Sequence, residues 1–501
     1  MSPNSIGKVV IVGRDAAAWL SANALLRAFG PSGLKVEVVE LRSLLRPHDV
    51  FMSQPALEAF HRLLGFDEHE VLKACGGAYS LGQSFVNFSG PRPSFLRPYG
   101  SHGAPVGKVG FHQIWTKAQQ SGMSVSFEDF SISAVAAKQG KFFAQDNAIN
   151  ALFRCDYAYH LNGLAYVSLL KAQAIRLGAL TRTAHSITAT LDQAGGISHL
   201  HLNEGSRIDG DFYIDATGPE SQLLGETLGA EVDSWSRWFP FDRLMVGAAE
   251  RLKSLPCYAQ ARALELGCLQ LAPTQNQTGL IYTYRSGIVS DDEAFRDMSV
   301  AAGIRAMPEA TVAPISIGRR QKAWVKNCVA IGDAACVFDP LDSPSLYSIQ
   351  LGLAHLISLF PLQTDSSIEA REYNHLMQEA FERFRDYTIA HYKLNRLYDL
   401  PLWDEARDMT VPEPLAWKLD LFAARGIVPI YDEETFQLDD WLALLLGHGQ
   451  VPKTYDPLAD LVPQDEAIKH VQSLLAFIRE HVQDMSSHDA YLELFAMRDF
   501  A

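Results

Sequence analysis

The chain has 501 residues, a formal net charge of −15, and 48% hydrophobic and 20% charged residues. This composition is typical of a folded globular protein, and the acidic charge without a long Lys/Arg cluster excludes nucleic acid as an expected partner. No apolar run reaches about 18 residues and the N-terminus lacks a signal peptide, so we expect no membrane span and a cytoplasmic protein. The six cysteines are scattered without a C-x-x-C pair, which predicts free thiols and no metal site.

The N-terminal segment has the pattern of a strand, a helix and a second strand. Lys8–Val12 and Lys35–Glu40 are runs typical of buried parallel strands, and Ala16–Phe29 between them has helical periodicity. A G-x-G-x-x-G turn opens many dinucleotide-binding units, but here the turn reads Gly13-Arg14-Asp15-Ala16-Ala17-Ala18. Glu40 ends the second strand, where a Rossmann unit hydrogen-bonds an adenosine ribose.

The altered turn leaves two interpretations of Asp15 open. Gly13 keeps the tight turn, whereas Asp15 places a side chain and a negative charge where a pyrophosphate would approach. Arg14 could offset that charge by pairing with a phosphate at the helix N-terminus, which predicts retained but weakened nucleotide binding. Alternatively, Asp15 is an N-cap that satisfies the amides a phosphate would use, and the nucleotide is lost.

The rest of the chain alternates between helical and extended patterns. Between residues 55 and 177 we predict, in chain order, a helix, a strand, an irregular loop and a helix, at Pro55–Lys73, Gln83–Phe88, 89–108 and Tyr159–Leu177. Phe212–Gly218 and Cys328–Ala335 each have the form of a strand that ends in a small-residue turn, so we expect both to join the N-terminal sheet. Periodic stretches at 366–398 and 465–483 predict a helical C-terminal part.

The segment that follows residue 330 carries a specific resemblance. It reads IGDAACVFDPLDSPSLYSIQLGL, and its Gly332-Asp333-Ala334 and Asp339-Pro340 pieces resemble the second flavin motif of FAD monooxygenases. The run Asp339-Pro340-Leu341-Asp342-Ser343 resembles the E-P-L-E-S-T-G segment of flavin-dependent tryptophan halogenases. GRRQKAWVKNCVAIG, YIDATG, GAYSLGQSFVNF and RDYTIAHYKLNR add further matches. The chain is identified as a divergent member of that family.

The resemblance implies an α/β fold with a Rossmann-type FAD-binding lobe, as in flavin monooxygenases, and a largely helical substrate lobe. We expect the FAD lobe to be discontinuous, at 1–90, about 155–230 and about 310–360. The substrate-side sheet and helical lobe would take about 91–154, 231–309 and 361–501. The implied FAD-binding residues are Gly13, Arg14, Asp15, Ala16, Ala17, Glu40, Gly332, Asp333, Asp339 and Pro340.

The resemblance also implies the chemistry. Reduced FAD, supplied by a separate flavin reductase, would react with O2 to halogenate or oxidise a small electron-rich aromatic substrate of the indole or phenol type. The flavin carries the redox step, while the protein positions the reactants and excludes water. The expected partners are therefore the aromatic substrate and the reductase, and a homodimer is one possible assembly.

Several positions depart from the family pattern. Ser80 stands where the family has the Lys that activates the halogenating species, and a hydroxyl offers no ammonium group. Pro344-Ser345 replaces the T-G of the halide site and removes one backbone N–H, which puts the use of halide in question. The W-x-W-x-I-P signature corresponds to Cys268–Pro273, and the flavin-facing G-E-A-T-I-P strap to the region of His48–Pro55.

Asp342 and Ser343 keep the carboxylate and the hydroxyl of the family pair, and with Ser80 they are the catalytic candidates. Asp342 could accept the proton released when an aromatic ring is substituted, or it could cap the helix that begins near Ser345. Three functions stay open at this point. They are a halogenase-type enzyme with a rebuilt substrate end, a flavin oxygenase without halide chemistry, and a non-catalytic homologue that has lost its cofactor.

Overall fold

The computed structural model describes residues 6–143, 149, 152–203, 205–361, 363 and 365–497. The chain forms two compact units, each assembled from three segments. The first unit takes the described residues of Met1–Gly77, Leu161–Arg237 and Ile315–Glu382. The second unit takes those of Ala78–His160, Trp238–Pro314 and Arg383–Ala501.

A six-stranded sheet runs through the first unit. Its strands, in spatial order, are Trp324–Val325, Cys328–Ala330, Phe212–Ala216, Lys8–Gly13, Lys35–Glu40 and Leu180–Thr183. All neighbours are parallel except the first pair, which is antiparallel. Val9 to Val12 are fully buried, as expected for a parallel strand covered on both faces. The predicted βαβ start and the two later strands of this sheet are confirmed.

Helices and short strands complete the first unit. The Asp15–Phe29 helix packs against Gly163–Arg176 and Pro344–Ser358. The other helical elements are Gly30–Ser32, Ala56–Leu64, Glu68–Cys75, Gln222–Thr227, Gly332–Ala334 and Ser367–Lys393 as far as Glu382. The short strands are Val50–Met52, Ile187–Leu191, Ile197–Leu202, Arg207–Asp209, Val232–Ser234, Gly318–Arg320 and Cys336–Val337.

The predicted helix over Tyr159–Leu177 begins later than expected. Ala158–Asn162 is a strand, and the helix runs only over Gly163–Arg176. The Asn162 side chain accepts a hydrogen bond from the Ala165 amide, so it caps the helix and sets its first residue. The prediction was therefore wrong over residues 159–162.

The second unit contains a seven-stranded sheet. Its strands, in spatial order, are Ala306–Pro314, Arg243–Glu250, Gln277–Tyr284, Gly267–Pro273, Ala259–Ala263, Gly82–Val86 and Phe95–Pro98. One face of the sheet buries a core that includes Leu269, Leu271 and Tyr282, together with residues of the Asp291–Ala302 helix. The loop predicted over 89–108 therefore contains a strand, and Pro98 is tolerated there because Phe95–Pro98 is an edge strand.

The C-terminal part is helical, as predicted. Besides Asp291–Ala302, the helices of the second unit are Phe111–Gln120, Phe127–Phe130, Ile132–Lys138, the 383–393 part of Ser367–Lys393, Pro401–Asp408, Glu413–Arg425, Leu438–Gly447, Pro457–Leu461, Gln464–Asp484 and His488–Met497. Of the described residues, Ala78–Ser80 also forms a strand, and the short helix Ser236–Trp238 lies where the chain passes from the first unit to the second. Within the described ranges, no helix is both long and apolar enough to cross a lipid bilayer. All six cysteines are buried free thiols, as expected.

The limits of the two units differ from the expected lobes. We expected the first FAD-lobe segment to extend to residue 90, but the chain enters the second unit at Ala78. The reason is the strand Gly82–Val86, which pairs with Ala259–Ala263 and Phe95–Pro98 in the sheet of the second unit. Which unit holds which ligand stays a prediction.

Candidate functional site

The first candidate site lies where the N-terminal strand turns into the Asp15–Phe29 helix. Gly13 ends the strand and pairs with Ala216 on one side and Glu40 on the other. A side chain at position 13 would lie 2.3 Å from the Ala216 carbonyl oxygen, so only glycine fits. The tight turn is thus kept, and Glu40 stands beside it.

Asp15, which stands at the second glycine of the motif, adopts a backbone conformation that glycine adopts readily. Its φ is 54°, in the left-handed region that Asp tolerates better than most residues. The carboxylate accepts hydrogen bonds from the Ser43 hydroxyl at 2.5 Å and from the Leu44 amide at 3.1 Å. The N-cap residue is Arg14, and within the described chain no side chain caps the helix. The N-cap interpretation of Asp15 is therefore wrong, because its carboxylate is bound to the loop after the second strand.

Arg14 presents an unused hydrogen-bond donor at this helix N-terminus. Its Nε is buried and has no hydrogen-bond partner among the residues that the structure describes. Its backbone amide donates to the Ala216 carbonyl at 3.1 Å. Ala16 and Ala17 follow with methyl side chains only. A guanidinium N–H and a helix end without a side-chain cap suit an anion, so these residues fit a pyrophosphate.

The Gly332-Asp333-Ala334 turn lies against the same helix. Gly332 has φ 65°, and a side chain there would lie 3.0 Å from Ile349 and 3.5 Å from Ala17. Asp333 remains accessible to solvent, but the surrounding protein and the Glu220 carboxylate raise its pKa to about 6. Near neutral pH, Asp333 is therefore mostly ionised and can accept hydrogen bonds from ligand hydroxyl groups.

Glu40 is partly engaged by the protein itself. Its Oε2 pairs with the Lys171 Nζ at 2.6 Å, and that ammonium also lies 5.3 Å from the centre of the Trp19 ring. The ion pair holds the carboxylate at the end of its strand, half-buried, where the sequence predicts contact with a ribose.

The turn over Asp339–Ser343 is buried and strained. Asp339 accepts a hydrogen bond from the Leu341 amide at 2.9 Å, and the Ser343 amide donates to the Pro340 carbonyl at 3.3 Å. Asp342 and Ser343 have φ values of 67° and 57° and are almost completely buried. Two successive left-handed residues other than glycine cost about 1–3 kcal/mol each, and such strain clusters at functional sites.

The structure contradicts the capping interpretation of Asp342. The helix begins at Pro344, its N-cap is Ser343, and no side-chain cap is present in this described segment. Proline at the first helical position lacks an amide hydrogen, so the first turn needs one partner fewer. The Asp342 carbonyl instead accepts a hydrogen bond from the buried Gln54 side chain. Gln54 is not among the residues predicted from the sequence, although it lies in the strap segment next to the matching Pro55.

Ser80 belongs to the second unit, whereas the other candidates belong to the first. It ends the strand Ala78–Ser80, which pairs antiparallel with residues 158–160. The side chain is 1% exposed, and its hydroxyl donates to the Gly82 carbonyl at 3.0 Å. This hydroxyl therefore satisfies a local backbone acceptor.

Residues 8–464 match the family model described as tryptophan halogenase. The chain belongs to the tryptophan halogenase family. It is 25% identical to tryptophan 6-halogenase SttH of Streptomyces toxytricini, and the match covers 99% of this chain and 100% of SttH. It is 24% identical to tryptophan 7-halogenase KtzQ of Kutzneria sp., with 99% of both chains covered.

Solved structures of halogenases are also similar. BrvH, a flavin-dependent halogenase from Brevundimonas sp. BAL3, is 30% identical with a TM-score of 0.93, covering 98% of this chain and 99% of BrvH. Xcc4156, a flavin-dependent halogenase from Xanthomonas campestris, is 28% identical with a TM-score of 0.94, covering 98% of both chains. The family and the α/β fold class predicted from the sequence are confirmed.

In this member of the tryptophan halogenase family, the segment that corresponds to W-x-W-x-I-P lies in the strand Gly267–Pro273. Gln270 occupies the position of the second Trp and is 2% exposed. Its Oε1 has no hydrogen-bond partner in the part of the chain that the structure describes. The Pro273 carbonyl lies 2.8 Å from Nδ1 of His160, a histidine whose pKa burial lowers to about 4. The one retained residue of the signature is thus held by a neutral histidine.

Proposed function

We propose that the protein binds FAD in its first unit and uses it to oxidise or halogenate a small electron-rich aromatic substrate. The observation that carries this proposal is the Gly13–Ala17 turn. Asp15 has a left-handed backbone, its carboxylate is bound by Ser43 and Leu44, and Arg14 has an unused donor. This geometry supports pyrophosphate binding in spite of the altered motif.

Bound FAD, reduced by a separate reductase, supplies the electrons that activate O2. Arg14 and the helix N-terminus would hold the pyrophosphate, and Glu40 would contact the ribose at the strand end. Asp333, ionised near neutral pH, would accept hydrogen bonds from the hydroxyl groups of the cofactor. The residues of the first unit thus bind and orient the flavin.

Asp342 is the candidate proton acceptor for the aromatic ring. Its buried, left-handed backbone is held by the Gln54 amide, so the turn fixes the point from which its side chain starts. A buried carboxylate at this position could take up the proton that a substituted ring releases. Ser343 adds a buried hydroxyl next to it.

The contact of Ser80 favours a second candidate function, a flavin oxygenase without halide chemistry. Its hydroxyl is bound to the Gly82 carbonyl, and no ammonium group is available at this position. A serine in this state offers no positive charge to hold or polarise hypohalous acid. Oxidation of the aromatic substrate does not require that charge.

Titration with oxidised and with anaerobically reduced FAD tests the proposal, with flavin fluorescence or absorbance as the readout. We expect reduced FAD to bind with a Kd of about 10 μM or tighter. The loaded protein is then given O2 and indole with and without bromide, which separates bromination from plain oxidation. Failure of both flavin forms to bind at about 100 μM would contradict the proposal.

A further inference from the structure

The loop over residues 41–49 is anchored within the first unit at both of its ends. At the near end, the Leu41 amide donates a hydrogen bond to the Gly13 carbonyl at 2.8 Å, so the loop starts against the altered turn. At the far end, the Gly163 amide donates to the Asp49 carbonyl, also at 2.8 Å. A loop that is bound at both ends presents the groups between those ends in a defined place.

Two groups of this loop hold the Asp15 carboxylate, one on each oxygen. The Ser43 hydroxyl donates to Oδ1 at 2.5 Å, and the Leu44 amide donates to Oδ2 at 3.1 Å. The Ser43 oxygen in turn accepts a hydrogen bond from the Leu45 amide at 3.1 Å. A hydroxyl that accepts one hydrogen bond donates the next one more strongly. Both carboxylate oxygens of Asp15 are therefore directed to the loop.

These hydrogen bonds hold the charge of Asp15 without neutralising it. The Ser43 hydroxyl and the Leu44 amide are both neutral donors. Burial raises the pKa of Asp49 in the same loop, and the charge of Asp15 adds to that rise. Asp15 stands at the second glycine of the motif, the position that lets a pyrophosphate approach the backbone. The direction of its carboxylate therefore decides how strongly it would repel that group.

We infer that Ser43 is a positioning residue for the cofactor, because its hydroxyl keeps the negative charge of Asp15 directed to the loop. This role rests on the proposed binding of FAD, and it adds a residue that lies outside the glycine motif. Ser43 acts through Asp15 and needs no contact with the cofactor itself. Without the hydroxyl, the carboxylate keeps only the Leu44 amide and is free to adopt other staggered rotamers.

A released carboxylate would weaken FAD binding in two ways. It would bring its charge closer to the pyrophosphate, which is itself an anion. It would also compete with the pyrophosphate for the guanidinium of Arg14, whose Nε is unused in the described chain. Both effects depend on the negative charge at position 15, so both should disappear when that charge is removed.

A double-mutant cycle tests this dependence, with the Kd for reduced FAD measured by anaerobic fluorescence titration. Ser43→Ala should weaken binding by about tenfold. Asp15→Asn keeps a side chain that tolerates the left-handed backbone but carries no charge, so it should bind FAD at least as tightly as the wild type. Adding Ser43→Ala to Asp15→Asn should then change the Kd by less than about twofold.

Three further measurements separate this role from a purely structural one. Ser43→Thr keeps the hydroxyl and should keep the affinity. Because the effect is electrostatic, the loss in Ser43→Ala should shrink as the salt concentration rises from about 0.02 M to about 0.5 M. Ser168→Ala removes a hydroxyl that donates to the Leu164 carbonyl at 2.8 Å in the same unit, and it should leave the Kd unchanged.

The possible outcomes distinguish this inference from the proposed function. An unchanged Kd in Ser43→Ala, or an equal loss with and without Asp15→Asn, would overturn the role of Ser43 while FAD binding itself stands. Failure of all four proteins of the cycle to bind FAD would contradict the proposed function, and the role of Ser43 would fall with it. Ser43 is a half-buried loop residue, so its substitution leaves the strands and helices of the unit in place.

Discussion

The Gly13–Ala17 turn of the first unit and the Ala78–Ser80 strand of the second unit have each lost a residue expected from the family pattern, and the consequences differ. At the turn, Asp15 has a left-handed backbone, and the protein binds its carboxylate through Ser43 and Leu44. At Ser80 the charge is gone, and the remaining hydroxyl bonds to the neighbouring backbone. At the turn, the protein accommodates the new side chain through its own hydrogen bonds, whereas at position 80 the serine offers no group with a positive charge.

The largest effect should come from adding a side chain to Gly13 in the turn. Gly13→Ala would place a methyl group 2.3 Å from the Ala216 carbonyl oxygen, so the strand and the turn must shift. We expect a loss of about 3 kcal/mol in the free energy of unfolding, measured by urea denaturation. Gly287→Ala is the matched control, because a methyl group there meets no described atom within 4 Å. A stable Gly13→Ala protein would show that the turn does not depend on close packing.

The next effect concerns the unused donor of Arg14. Arg14→Ala should weaken the binding of reduced FAD by about thirtyfold, since a hydrogen bond to a charged group contributes about 2 kcal/mol. Anaerobic fluorescence titration measures the change in Kd. Arg27→Ala, at the opposite end of the same helix, removes the same charge from an exposed position and should leave the Kd unchanged. Equal effects of both variants would mean that only long-range charge matters.

A smaller effect should appear as a dependence of FAD affinity on pH. The pKa of Asp333 is raised to about 6 from its ordinary value of 3.8. A raised carboxyl pKa means that the folded protein binds a proton more readily than the unfolded chain. As the pH falls from about 6 to about 4, this group therefore adds stability but ceases to accept hydrogen bonds.

We therefore expect FAD affinity to fall as the pH drops through about 6, by no more than about tenfold per unit. Asp333→Asn cannot ionise, so its affinity for FAD should be weaker at pH 7.5 and nearly constant down to pH 5. Titrations of both proteins at several pH values measure this difference. Parallel pH profiles would assign the dependence to another group.

Much of the first unit follows from sequence pattern, but the partners of its unusual residues do not. The strands Lys8–Gly13 and Lys35–Glu40 are buried runs, and such runs are visible from hydrophobicity alone. The sequence allows a capping role for Asp15, because its carboxylate is close to the helix amides along the chain. Its partner Ser43 lies 28 residues away, and nothing local indicates that contact.

The turn at Asp342 also depends on a partner that local sequence pattern does not indicate. Its carbonyl is bound by Gln54, which is separated from it by 288 residues, and its backbone conformation is one that a non-glycine residue adopts only rarely. The strand Phe95–Pro98 was also missed, since its pairing with Gly82–Val86 outweighs the prolines and glycines around it. In each of these places, a contact between residues distant in sequence determines the local structure.

The smallest effect is expected at Ser80, in the second unit. Ser80→Ala removes the hydroxyl that donates to the Gly82 carbonyl, a buried contact. The expected loss is about 1 kcal/mol in the free energy of unfolding, because one neutral hydrogen bond disappears. FAD affinity and turnover of the aromatic substrate should stay unchanged if the hydroxyl only supports the strand. A loss of turnover without a loss of stability would instead place Ser80 in the chemistry, and the second unit would then have replaced its lost ammonium group with a working hydroxyl.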